Sequence, residues 1–113
     1  MIVRAIAILI IAAVPALAHD SWISTGKHKN PAGEWCCGSY DCGVMISGKV
    51  KPVTGGYEVD AVFRITYEGK ITDDHVREFW PLHETTPSPD GAYWRCKRPD
   101  GTPRCKFVPP PGS

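Results

Sequence analysis

From Tyr57 to Tyr67 every odd position is apolar: Tyr57, Val59, Ala61, Phe63, Ile65 and Tyr67. The even positions carry Glu58, Asp60, Arg64 and Thr66, with Val62 the one apolar exception. Period two over eleven residues marks a strand with one face buried and the other wet. At about 3.3 Å per residue that run extends roughly 36 Å, long for a small domain, which places a bend or break near Ala61.

The flanking sequence extends the β reading. Gly43 opens an earlier strand in which Val44, Ile46 and Val50 fall on even positions, and Pro52-Val53-Thr54-Gly55-Gly56 is a turn signal. Glu68-Gly69-Lys70 turns the chain into a return strand at Ile71-Thr72. Residues 73–80 fit either a helical turn, with Asp73 near its positive end, or an extended segment. Pro81, Pro87 and Pro89 keep the stretch up to Asp90 irregular, and Pro89-Asp90-Gly91 is a turn. Tyr93–Lys97 and Arg104–Val108 flank Pro99-Asp100-Gly101-Thr102 as a hairpin, and 109–113 is a proline-rich tail. The expected fold is mainly β: a small, single-domain, disulfide-stapled antiparallel sheet over 19–108, with an irregular arm at 19–34 that packs Trp22 onto the domain.

The leader sets the compartment. Met-Ile-Val-Arg, an apolar run from Ala5 to Val14 and the ending Pro15-Ala16-Leu17-Ala18 form a secretory signal peptide over 1–18. The fourteen residues from Ala5 to Ala18 fall short of the about 20 that span a bilayer. Cleavage near Ala18 predicts a periplasmic or secreted chain of 95 residues, a length at which disulfides commonly supplement a modest core. Losing Arg4 leaves 12 basic against 12 acidic residues, so no net charge points to nucleic acid.

Five cysteines, Cys36, Cys37, Cys42, Cys96 and Cys105, then read as a disulfide framework. A Cys36–Cys37 bond is disfavoured, because neighbouring Cα atoms lie about 3.8 Å apart and unstrained bridges prefer roughly 4.4–6.8 Å. One of that pair is expected in a bridge, the other free or paired between chains. In the hairpin, a register opposing Trp94 to Phe107, Cys96 to Cys105 and Arg98 to Pro103 gathers the apolar residues on one face. It puts Arg95, Lys97, Arg104 and Lys106 on the other, and burial fixes register more firmly than turn preference. That register predicts a Cys96–Cys105 bond.

The chain also resembles an uncharacterised family of small secreted bacterial proteins. The resemblance rests on His19 and Trp22, on Cys-Cys-x-x-x-Asp-Cys at 36–42, on Ser-Pro-Asp-Gly at 88–91, and on the ending Cys105-Lys106-Phe107-Val108-Pro109-Pro110. It implies export and a cysteine framework, and it carries no activity.

Three sets of side chains are candidates for function. His19 becomes the mature N-terminus, where amine and imidazole together can chelate copper, with His28, His75 or His83 as a further ligand. Arg95, Lys97, Arg104 and Lys106, with Arg98, offer an anion-binding face for a cell-envelope polymer or lipid head group; seven carboxylates lie between Glu58 and Glu84. Zinc held by Cys36, Cys37 and Cys42 lacks a matching second ligand pair, and no Cys-x-x-Cys redox motif occurs. His83-Glu84-Thr85-Thr86-Pro87 is a false zinc-protease match, because Pro87 replaces the second histidine. Asp73-Asp74-His75 reads as a solvated turn, no Gly-x-Ser-x-Gly elbow exists, and Trp35 and Trp94 read as core. The leading expectation is a non-catalytic exported module, binding or structural, with no cofactor. Copper binding at His19 and an anionic envelope partner are the alternatives, and an intermolecular disulfide through the odd cysteine is a possible contact.

Overall fold

The alternating run forms β2 (Gly56–Tyr67), set between β1 (Cys42–Val53) and β3 (Lys70–Pro81) in a continuous meander. The computed structural model describes residues 22–23, 28–36 and 40–110. Residues 1–18, His19, Cys37 and the last three residues lie outside them, so the expectations resting on those positions do too. After β3 come a 3-10 turn (Leu82–Glu84), β4 (Thr85–Pro87), β5 (Trp94–Lys97) and β6 (Pro103–Val108). All the strands join one sheet in the order β3-β2-β1-β5-β6-β4. The architecture is therefore mainly β, as the periodicity implies.

In the meander and the stretch that follows it, three details depart from the sequence reading. Residues 73–80 are extended and pair with β2 along their whole length. The stretch from Pro81 to Asp90 is not wholly irregular: β4 runs parallel to β6, whereas the other described strand pairs are antiparallel. β2 also passes through Ala61 unbroken, because the adjustment falls on its partner. Ile46 is the extra residue between the pairs Met45–Phe63 and Ser47–Val62. Two residues on, Gly48 (φ 103°) presses so close that a Cβ there would sit 2.4 Å from the Asp60 carbonyl oxygen. Only glycine fits that backbone, and the strand pair bends there.

The bend lets the sheet curl. In a flat sheet, β3 and β5 would lie about 14 Å apart, three strand spacings. Yet Arg95 of β5 donates from Nε to Glu78 Oε1 of β3 at 2.9 Å. The concave side holds Val59, Ala61, Phe63, Trp80 and Val108 as one core. A second core lies on the opposite face of the hairpin, where Trp94, Cys96, Cys105 and Phe107 are covered by Ile23 of the arm and by Cys36 just after it, with Trp22 packed against them.

The hairpin pairs Trp94 with Phe107 and Cys96 with Cys105, the register that burial demands. Nearer the turn it slips by one residue, so Lys97 rather than Arg98 opposes Pro103. The expected Cys96–Cys105 bond is not formed. Cys36 bonds Cys105, and Cys42 bonds Cys96 across the β1–β5 pair. Two cysteines side by side on one face can each be reached by another element, and here both are: the arm takes Cys105 and β1 takes Cys96. The hairpin is stapled to the N-terminal cluster instead of to itself.

Candidate functional site

Alternation sends Arg95, Lys97 and Lys106 to the face opposite the cysteines, and each meets a carboxylate. The Arg95 guanidinium, 5% exposed, makes a two-pronged bond to Glu78 and also donates to the Gly101 carbonyl at 2.8 Å. Glu78 in turn accepts the Trp80 indole N–H at 2.9 Å. Lys97 reaches Asp74 at 2.8 Å, and Lys106 bonds Glu84 in the 3-10 turn. Around the hairpin's rim, Arg104 pairs with the buried Asp41 at 3.2 Å and Arg98 grips Glu34 of the arm. All five cations of the anticipated basic face are thus engaged by carboxylates from four other parts of the chain: the arm, the 36–42 segment, β3 and the 3-10 turn.

The electrostatics follow from these contacts. The Arg98 guanidinium and the Asn30 amide hold the Glu34 carboxyl down to about 2. Lys106 lowers Glu84 in the same way. Burial pushes Asp41 up, against the pull of Arg104. These partners were hard to find from sequence. The acidic block between Glu58 and Glu84 was visible, but nothing in it signals that Asp74, Glu78 and Glu84 turn toward the hairpin.

A groove of about 580 Å³ runs between the arm turn at Asn30–Ala32 and the 3-10 turn, with Arg98, Arg104 and Lys106 among its lining. Phe79, half exposed, and Pro81 supply apolar wall. Asn30, 8% exposed, shapes one side: its amide donates to the Arg104 carbonyl at 2.7 Å and to Glu34 at 2.8 Å. His83 opens onto the groove with Glu84 3.8 Å away. The cleft is thus of mixed charge, with polar and apolar walls in about equal share.

The described histidines sit on three different elements. His28 packs edge-on against Trp22 and Phe107. His75 lies 2.7 Å from Asp60, and His83 is exposed beside Glu84. Among the described residues, no group of three or more His, Cys, Asp and Glu side chains is placed to hold a metal ion. The bridges claim Cys36 and Cys42, which ends the zinc reading built on the 36–42 run. Trp94 is core as expected; Trp35 is not, being 51% exposed with the Lys29 ammonium 4.5 Å from its ring centre.

The motif residues meet in space. Asp90, from the Ser-Pro-Asp-Gly turn, accepts the indole N–H of Trp22 at 3.1 Å and of Trp94 at 2.9 Å. Its other oxygen caps the Ala92 N–H. One carboxylate thus ties the arm to the hairpin's apolar face. No family model, no curated protein and no solved structure matches the chain.

Proposed function

We propose that the protein is an exported, non-catalytic module that acts by binding or as a structural part, and that its covalent frame matures after the 1–18 leader is removed. The observation that carries this reading is the pair of bridges. Each joins the N-terminal cysteine cluster to the C-terminal hairpin, at sequence separations of 69 and 54. Long-range bridges of that kind form and persist in oxidising compartments. The ion pairs support the same reading, since they commit the hairpin's cations to holding elements together. Reading those cations as a receptor for an anionic polymer would require an external anion to displace a partner from each, and Arg95 and Lys106 are almost fully buried.

The test is to express the full chain, fractionate the cell, and read the mature N-terminus and free-thiol content of the folded product. The proposal expects a periplasmic or secreted chain beginning at His19, with one free thiol under denaturing, non-reducing conditions. A cytoplasmic, uncleaved chain that folds with all five thiols free would overturn it.

A further inference from the structure

β3 is the long edge of the sheet: β2 pairs with one side of it, and no described strand pairs with the other. Between residues 73 and 76 this open edge borders a cleft of about 300 Å³ that separates it from the hairpin. An edge of 12 residues with no described strand on its outer side can pair with another strand, provided the partner matches its charges. Its even positions from Asp74 to Trp80 turn inward. Its odd positions turn outward and read, in order, Ile71, Asp73, His75, Arg77 and Phe79. That order is self-complementary about His75 when reversed: apolar, acid, imidazole, base, apolar. Ile71 is 57% and Phe79 50% exposed, unusual for large apolar side chains on an edge.

We propose that this edge is a homodimer interface, in which β3 pairs antiparallel with β3 of a second copy about a two-fold axis at His75. Directly opposed residues must share a face, so the two-fold register can change only in steps that move the axis by one residue. With the axis at His75, Ile71 faces Phe79 of the second copy and Asp73 faces its Arg77. Moving the axis to Asp74 sets Ile71 against Arg77, and moving it to Val76 sets Asp73 against Phe79. Only the His75 register matches every outward residue.

The β2–β3 register strengthens the case. Arg64 lies opposite Asp73, and Asp60 opposite Arg77. Across the axis, then, one row reads Arg64, Asp73, then Arg77 and Asp60 of the second copy, alternating in sign over four strands. The flanking ion pair Arg64–Asp73 is already in place at 2.8 Å, and Asp60 already sits 3.6 Å from Arg77. On the inward face the same register opposes Lys70 to Trp80, Thr72 to Glu78 and Asp74 to Val76, with no like-charge pair. The opposite edge of the sheet, β4, is three residues long and ends at Pro87. Proline blunts it, so pairing through β3 closes at two copies and does not propagate.

Sedimentation of the mature, oxidised protein carrying Cys37→Ser tests this without interference from the odd thiol. The expected result is a reversible monomer–dimer equilibrium. Arg77→Asp, which sets Asp73 against a carboxylate at both symmetric positions, weakens association by about tenfold or more. Combining Asp73→Arg with Arg77→Asp recovers part of it, because the pair across the axis re-forms with its signs exchanged while Arg64 and Asp60 now face like charges within the chain. In the same background His75→Cys gives a disulfide-linked dimer on air oxidation and Arg77→Cys does not, because only position 75 faces its own copy. Far-UV circular dichroism confirms that each variant is folded. A protein that remains monomeric at about 0.5 mM, an association indifferent to Arg77→Asp in folded protein, or crosslinking at 77 and not at 75 would each overturn the proposal.

Discussion

Removing one bridge at a time tests the covalent frame quantitatively, because the two bridges are nested. Cys42–Cys96 lies inside Cys36–Cys105 in sequence. Taken alone, closing loops with separations of 69 and 54 residues restrains the unfolded chain by about 4.4 and 4.2 kcal/mol in the chain-entropy model. With the inner bridge present, the outer one closes only the short ring formed by six residues on one side and nine on the other. A ring of about 15 residues is worth only about 3 kcal/mol. Replacing Cys36 and Cys105 by alanine should therefore cost about 3 kcal/mol, and so should replacing Cys42 and Cys96. Replacing all four should cost about 7, slightly more than the two single losses together. Urea unfolding of oxidised protein carrying Cys37→Ser measures all three. A single loss costing as much as the quadruple replacement, or peptide mapping that finds Cys96 bonded to Cys105, would refute the nested frame.

Three further outcomes follow from individual side chains. Arg95→Met leaves the Glu78 carboxylate 19% exposed without its guanidinium, and should lower stability by about 3–5 kcal/mol in urea titration. A paired Glu78→Gln change should restore part of that loss. Ser88 is 1% exposed and its Oγ has no hydrogen-bond partner among the described residues, so Ser88→Ala should leave the thermal midpoint unchanged or raise it, by up to about 1 kcal/mol in stability. Glu34 stays ionised in the folded protein down to about pH 2 but takes up its proton near the ordinary 4.5 when unfolded. Between those values the unfolded chain holds the extra proton, so stability falls with falling pH across that window, and the Glu34 contribution is intact above it. Glu34→Gln should flatten acid-unfolding curves there; an unchanged slope would detach Glu34 from the arm's hold on Arg98.

How legible the fold was depended on whether burial left a pattern in the chain. β2 was legible because its inward positions are all apolar. β3 was not, because Asp74 and Glu78 share its inward face with Val76 and Trp80, and the cations that allow them there lie on β5. Alternation of charge with apolar groups on the buried side hides period two. The hairpin register was legible since only one pairing buries both Trp94 and Phe107. The bridges were not: Cys96 and Cys105 share a face in any such register, and which element covers that face is a tertiary fact. β4 has three residues, the last of them Pro87, too few to show a period. The cations of the candidate site could be read as a stripe, but their engagement could not, because Glu34 and Asp41 lie more than sixty residues upstream of the arginines they meet.

The placement of the covalent bonds follows from what each face of the hairpin can offer. On the concave side, Trp80, Phe63 and Val59 come from long strands that a meander already holds in place. The other face is covered by an arm that brings few large apolar groups, chiefly Ile23 and Trp22. Burying two such side chains contributes about 3–6 kcal/mol. Ordering the backbone of residues 28–36 alone costs roughly 9–18 kcal/mol. The bonds from Asn30, Glu34 and Asp90 narrow the gap, at about 1 kcal/mol each and somewhat more where a charge takes part. They do not close it. Cys36–Cys105 does so from the other direction, by denying the unfolded arm much of its freedom. Under reducing conditions the arm should therefore release first, while the β1–β3 meander keeps its own hydrogen-bonded ladder and core. Amide exchange in reductant can see this directly: protection lost at 28–36 ahead of 57–66 fits the argument, and simultaneous loss contradicts it.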